Sequence, residues 1–190
     1  MLLTLIAGFV AISIGTPNAL EPDDRMLFSF DEDDAGRSWR TVNDGVMGGR
    51  SSGRFRVTDG KLLFSGVLSL ANNGGFASVR SYSVSPKLRQ GDTLQFRVRG
   101  DGRKYSFNLY TPDRRTAFSY RADFKTKRNE WIEVSIPLDR FQATSFGRPV
   151  SNRPLRADQV SGIGILLGDK SPGEFKIEVD WIKAIRAEDE

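Results

Sequence analysis

Carboxylates, lysines, tyrosines and serines are the side chains left to do chemistry here, because the 190 residues include neither histidine nor cysteine. A Ser–His–Asp triad, a Cys–His pair and every His- or Cys-ligated zinc site are excluded by composition alone. Disulfides are excluded in the same step, so the fold must stand on its hydrophobic core. A glycosidase would need two carboxylates facing one another across a cleft. Asp101, Asp123 and Glu133 are candidates, but no spacing selects a pair. No catalytic residue is assigned, and the chain is read as a non-enzyme.

Several short patterns imitate nucleotide or metal sites. Gly164 to Ser171 resembles a phosphate loop, but its glycine spacing is one residue short and Asp169 interrupts the Gly-Lys step. Gly162 and Gly164 lack the third glycine of a dinucleotide fingerprint and fall in an expected strand. The acidic run Asp31 to Asp34 hints at a calcium loop, but Ala35 and Val42 stand where an EF-hand needs ligands. It reads as a solvated turn, with no metal site and no cofactor assigned.

Two glycine-rich segments offer close backbone approach to a ligand or partner. The first places Trp39 before Asn43, Asp44, Met47, Gly48 and Gly49; the second runs Asn73, Gly74, Gly75, Phe76 and on to Arg80. Their alternative role is to turn corners and seal the end of a sandwich. A separate constellation comes from strand alternation. Arg97 and Arg99 must share the wet face of their strand, and Asn108, Tyr110 and Arg121 join them if the strands are neighbours. An Arg, Tyr and Asn surface can hold a sugar, since rings stack and guanidinium groups bind hydroxyls and carboxylates. A solvated, ion-paired sheet face is the plainer reading.

The elements that must position these residues are strands. Leu94, Phe96 and Val98 alternate with Gln95, Arg97 and Arg99, and Tyr105, Phe107 and Leu109 repeat the pattern after Asp101-Gly102. Ile132, Val134 and Ile136 do so again, as do Phe175, Ile177, Val179 and Trp181. Asp59-Gly60 predicts a type I′ hairpin within Arg54–Ser69. Further strands are expected at Met26–Phe30, Phe76–Val84, Ala117–Phe124 and Val160–Leu167, with a long basic loop over Phe146–Asp158. No long segment has helical period, so the expected class is all-β, a sandwich or barrel.

Hydrophobic residues make up 38% and charged residues 27%, ordinary for a globular domain. The net charge of +4 arises from 28 basic and 24 acidic residues without a basic run, so no nucleic acid is expected as a partner. No charge precedes Glu21, and residues 2–14 are almost wholly apolar. Residues 1–20 are expected to be a signal peptide or anchor, 21–25 a linker and 26–187 the domain. That predicts an exported or periplasmic protein, or one anchored to the inner membrane through its N-terminus.

Five stretches together resemble the complex I intermediate-associated protein 30 (CIA30) family. They read W-R-T-V-N-D-G-V-M-G-G-R-S at Trp39–Ser51, N-N-G-G-F-A-S-V-R at Asn72–Arg80, G-D-G-R-K-Y at Gly100–Tyr105, Y-R-A-D-F-K-T at Tyr120–Thr126 and W-I-E-V-S-I-P-L at Trp131–Leu138. The resemblance covers essentially Met26 to Arg186. It implies a galactose-binding-domain-like jelly-roll β-sandwich and a chaperone-like role in assembling respiratory complex I. The implied partners are complex I subunits or assembly factors. The implied binding set is Trp39, Asn43, Asp44, Met47, Gly48, Gly49, Asn73, Gly74, Gly75, Phe76, Arg80, Asp101 and Tyr105. An alternative is a carbohydrate-binding module of the cell envelope, taking a glycan on Arg97, Arg99, Asn108, Tyr110 and Arg121.

Overall fold

Residues alternating between oil and water need two apolar faces to meet, and thirteen strands among the described residues supply them. The computed structural model describes residues 24–32, 34–81, 84–113 and 117–186. The first strands are β1 (Asp24–Ser29), β2 (Trp39–Asn43), β3 (Ser52–Thr58), β4 (Lys61–Leu68) and β5 (Ala77–Ser81). Then come β6 (Thr93–Arg99), β7 (Lys104–Tyr110), β8 (Phe118–Lys125) and β9 (Trp131–Pro137). Last are β10 (Gln142–Ser145), β11 (Arg148–Pro149), β12 (Gly162–Leu167) and β13 (Gly173–Ile185).

Six strands form one sheet in the order β3-β4-β13-β6-β9, with β1 also on β13. Seven form the other in the order β11-β10-β8-β7-β12-β5-β2. The 13-residue β13 is long enough to pair with β4 over its first half and β1 over its second, while β6 takes its other edge. Between the sheets lie Leu94, Phe96 and Val98 of β6 and Tyr105, Phe107 and Leu109 of β7, all fully buried. The Phe96 ring centre is 4.7 Å from that of Phe107 and 5.0 Å from that of Phe124, so its contacts cross from one sheet to the other. Such offset and edge contacts add to the area term that drives the sheets together. The expected hairpin is β3–β4, and both turn residues take positive φ, 50° at Asp59 and 67° at Gly60.

Several expectations are corrected. The alternation of β13 breaks between Val179 and Trp181, where a bulge inserts Asp180. One extra residue exchanges the faces, so Ile182 and Ala184 are buried and Trp181 lies half-buried outside. The expected basic loop contains the short β11, which pairs with β10 as a hairpin. β1 begins at Asp24, inside the expected linker. Residues 1–20 lie outside the described residues. Among the described residues no helix is long and apolar enough to cross a membrane.

The largest correction concerns the arginine face. β6 and β7 are consecutive in the chain but belong to different sheets, because the connection through Gly100–Arg103 crosses the sandwich rather than forming a hairpin. Arg97 and Arg99 therefore lie outside the six-stranded sheet, whereas Asn108, Tyr110 and Arg121 lie outside the seven-stranded one. They do not form one surface.

Phe96→Ala is expected to cost about 3–5 kcal/mol in urea unfolding, the cost of an aromatic cavity. Trp181→Ala should cost only about 1 kcal/mol, as expected for a side chain on the outer face. The reverse order would contradict the bulge.

Candidate functional site

At the end of β2 the chain enters a 3-10 turn, Asp44–Met47, and the first residue of that turn is a fully buried carboxylate. Asp44 Oδ1 accepts the backbone N–H of Ser51 at 2.8 Å. Its Oδ2 accepts the Ser51 hydroxyl at 2.5 Å, the Gly75 N–H at 2.6 Å and the Phe76 N–H at 3.2 Å. Its own N–H donates to the Phe76 carbonyl at 3.1 Å. Ser51 extends the network, its Oγ accepting the Ser69 N–H at 3.0 Å and lying 3.1 Å from the Ser69 carbonyl. Beside it, Asn43 Nδ2 donates to the Gly53 carbonyl at 3.0 Å. One carboxylate thus joins the ends of β2 and β5, in one sheet, to the ends of β3 and β4, in the other. Burial by itself would raise the Asp44 carboxyl, but hydrogen bonds from the Ser51 hydroxyl and from the Gly75, Ser51 and Phe76 N–H groups prevail and hold it below the usual range.

The glycines follow from the carboxylate. A Cβ on Gly49 would lie 2.4 Å from Asp44 Cγ, and one on Gly74 would lie 2.5 Å from Asp44 Oδ2. Gly48 closes the turn at φ 87°. Gly45 has no neighbour within 4 Å of a built Cβ and so has no such constraint.

A second brace stands at the same end. Asp101 Oδ2 accepts the Tyr105 hydroxyl and the Lys176 N–H, each at 3.0 Å, and Asp101 Oδ1 accepts the Arg103 N–H at 3.0 Å. Burial, then the charge of Asp101, pushes the Tyr105 hydroxyl well above the ordinary phenol value, so it stays a donor. Arg103 meets Asp169 with two bonds, Nε to Oδ2 at 3.0 Å and Nη2 to Oδ1 at 2.6 Å. The phosphate-loop imitation is thereby accounted for, since Gly164 is a sheet residue of β12 and Asp169 is held in an ion pair.

The implied binding residues therefore sort into distinct environments. Asn43, Asp44, Gly48, Gly49, Asn73, Gly74, Gly75 and Phe76 meet at one end, with Asp101 and Tyr105 at the neighbouring corner. Trp39 lies at the other end of β2, buried in the core with its ring centre 4.9 Å from Phe28 and 5.8 Å from Phe30. Arg80 lies outside the seven-stranded sheet, its guanidinium 4.9 Å from the Tyr110 ring centre. Among what the braced loops present to solvent are three large apolar side chains, Val46 at 73% exposed, Met47 at 51% and Leu70 at 42%, beside exposed Arg50, Asn72 and Asn73. Sequence reasoning missed Val46 and Leu70. Their signal was an aliphatic side chain inside a loop rich in glycine or asparagine.

The two outer faces differ in charge. Arg97 donates to Asp180 at 2.5 Å and Arg99 to Glu178 at 2.6 Å, and both lie over the Trp131 ring at 5.0 and 4.9 Å. On the other sheet Arg121 Nε donates to Asn108 Oδ1 at 3.2 Å. The candidate catalytic carboxylates are scattered: Asp101 is in its brace, Asp123 binds Ser106 and Lys104, and Glu133 lies on β9 of the opposite sheet.

A carboxyl held below its unfolded value stabilises the fold above that value, and the contribution is lost as pH falls through the folded pKa. Asp44→Asn should therefore lower stability by about 3 kcal/mol at pH 7 and flatten the loss between about pH 5 and pH 2, measured by urea unfolding. Gly49→Ala and Gly74→Ala should each lower the melting temperature, whereas Gly45→Ala should leave it within a few degrees (about 1 kcal/mol or less).

Comparisons with known proteins bear on the family and the fold. The chain is 30% identical to Mus musculus "Complex I intermediate-associated protein 30, mitochondrial" over 83% of its own length and 55% of that protein's. It is 28% identical to a Caenorhabditis briggsae protein named as the probable counterpart, over 92% and 60%. The chain thus spans a little over half the length of these curated relatives. Among solved structures, a family 11 carbohydrate-binding module of a Clostridium thermocellum cellulosomal cellulase superposes with a TM-score of 0.64 at 15% identity, covering 88% of this chain and 96% of that one. An agarase gives a TM-score of 0.55 at 11% identity, over 86% and 25%. The fold is the galactose-binding-like jelly-roll sandwich that the motifs implied. Likeness at this identity concerns fold alone, and carbohydrate binding stays with those proteins. The expectation of an exported, periplasmic or inner-membrane-anchored protein is overturned by the relatives, which are named as mitochondrial. The family model described as "Complex I intermediate-associated protein 30 (CIA30)" matches residues 28–179, a span that holds both braces, and the chain belongs to that family.

Proposed function

We propose that this chain is a non-enzymatic, chaperone-like binding protein of the complex I assembly type, acting in mitochondria like its named relatives. The observation that carries this reading is the exposed apolar tip of Val46, Met47 and Leu70 on loops fastened by Asp44. Exposed aliphatic side chains in fixed loops suit protein docking, because little entropy is lost when a prearranged surface is covered. On this reading Asn43, Asp44, Gly48, Gly49, Gly74, Gly75, Asp101 and Tyr105 act by holding the surface in shape. Met47 would touch the partner, with Asn73 and Phe76 at its margin, while Trp39 supports the core. The partner is a subunit or assembly factor of respiratory complex I, as the names of the relatives suggest.

The test is affinity capture of the tagged chain from mitochondrial membranes, followed by mass spectrometry. Val46→Asp combined with Met47→Asp should reduce recovery of complex I components by about tenfold, as loss of central contacts does, while leaving the melting temperature unchanged. Equal recovery with the double variant, or capture of no complex I component by the parent chain, would count against the reading.

A further inference from the structure

The outer face of the seven-stranded sheet gathers arginines from three of its strands, β2, β5 and β8. Arg40 and Arg80 are directly opposed across β2 and β5, and Arg80, Gly164, Asn108 and Arg121 follow in register across β5, β12, β7 and β8. Neighbouring strands lie about 4.8 Å apart, so the Cα atoms of Arg80 and Arg121 are separated by roughly 14 Å. Both side chains lean inward over β7. Arg80 lies against the Tyr110 ring and Arg121 donates to Asn108. Gly162 and Gly164 leave the strand between them bare, and a Cβ on Gly164 would come within 3.2 Å of Arg80 Cγ.

Under these guanidinium groups Asn108 is 1% exposed, and its amide and the Tyr110 hydroxyl lean on each other without a well-formed hydrogen bond, which leaves the phenol proton without an acceptor. Buried donors of this kind are costly unless something accepts from them. Among the described residues neither Arg80 nor Arg121 is ion-paired; Asp123, whose charge attracts Arg121, is engaged by Ser106 at 2.6 Å and Lys104 at 3.0 Å. Burial lowers the Arg121 guanidinium pKa and the charge of Arg80 adds to this, with Asp123 opposing. Arg97 and Arg99 on the other sheet differ, since each meets a carboxylate directly, Asp180 and Glu178 respectively.

We propose that this face binds a carboxylate of an acidic protein segment, seated between Arg80 and Arg121 and completed by Asn108 Nδ2 and the Tyr110 hydroxyl. A carboxylate suits the site better than a phosphate. The donors are planar guanidinium forks and side-chain groups on a sheet whose backbone N–H groups belong to the ladder. The proposal rests on the protein-binding reading above, and assigns the partner a negatively charged stretch that docks apart from the apolar tip.

The test is calorimetric titration of the full chain with a hexaglutamate peptide and, separately, with inorganic phosphate at matched ionic strength. Saturable peptide binding is expected, weakened about tenfold or more by Arg80→Gln or Arg121→Gln and about threefold by Tyr110→Phe. Arg97→Gln, on the other face, should leave it within about twofold. Arg80→Lys keeps the charge but loses the fork, and should fall between parent and Arg80→Gln. Melting curves establish that each variant is folded. Absence of peptide binding, equal loss with Arg97→Gln, or binding of phosphate alone would overturn the site. Lost peptide binding with intact capture of complex I components would sink this site only; lost capture with intact peptide binding would sink only the assembly role.

Discussion

The Asp44 carboxylate is the constraint on which one whole end of the sandwich depends. Two sheets that share only apolar contacts are free to slide, since the hydrophobic effect has no direction. Asp44 gives direction at one corner. Its two oxygens take four donors from segments leading into strands of both sheets. Because the group is buried and charged, its hydrogen bonds are stronger than neutral ones, and an unfilled lone pair or an orphaned N–H would be costly. The glycines around it are the steric consequence. At Gly49 and Gly74 a side chain would occupy the space of the carboxylate itself.

The same logic recurs at the neighbouring corner, where Asp101 ties the β6–β7 crossing to the start of β13, and Arg103 and Asp169 tie it to the segment after β12. Gly168 lies close to Gly75 and Phe76, so the two braces adjoin. Such a stiffened end can carry exposed Val46, Met47 and Leu70 without their collapsing inward. Asp44 and Ser51, which look like part of a recognition loop in the primary structure, are thus turned inward, and Val46 and Met47 between them are turned out.

Charge divides the outer surfaces just as sharply. Around Trp131, arginines of β6 pair with carboxylates of β13 and stack on the ring from β9. Around Tyr110, cations from β2, β5 and β8 converge over a buried amide and hydroxyl. A modest net charge of +4 therefore conceals an uneven distribution, and it is the distribution that decides which surface attracts an acidic ligand.

Much of the fold was legible in the chain itself. Period-two alternation located β6, β7, β9 and most of β13, and Asp59-Gly60 specified a hairpin, because both signals act between residues adjacent in sequence. The absence of histidine and cysteine removed whole classes of chemistry without reference to any fold. The linked glycine-rich motifs carried the family. Tertiary structure alone decided the rest. Alternation states that Arg97 and Asn108 face away from a core, but not that they face away from opposite sides of it, since that depends on whether the Gly100–Arg103 turn stays within a sheet or crosses between two. The Val179–Trp181 bulge reversed faces for the same reason: one inserted residue is set by pairing with a distant strand. Whether Asp44 meets solvent, a ligand or its own backbone was likewise a matter of where Ser51, Gly75 and Phe76 arrive in space, up to 32 residues along the chain.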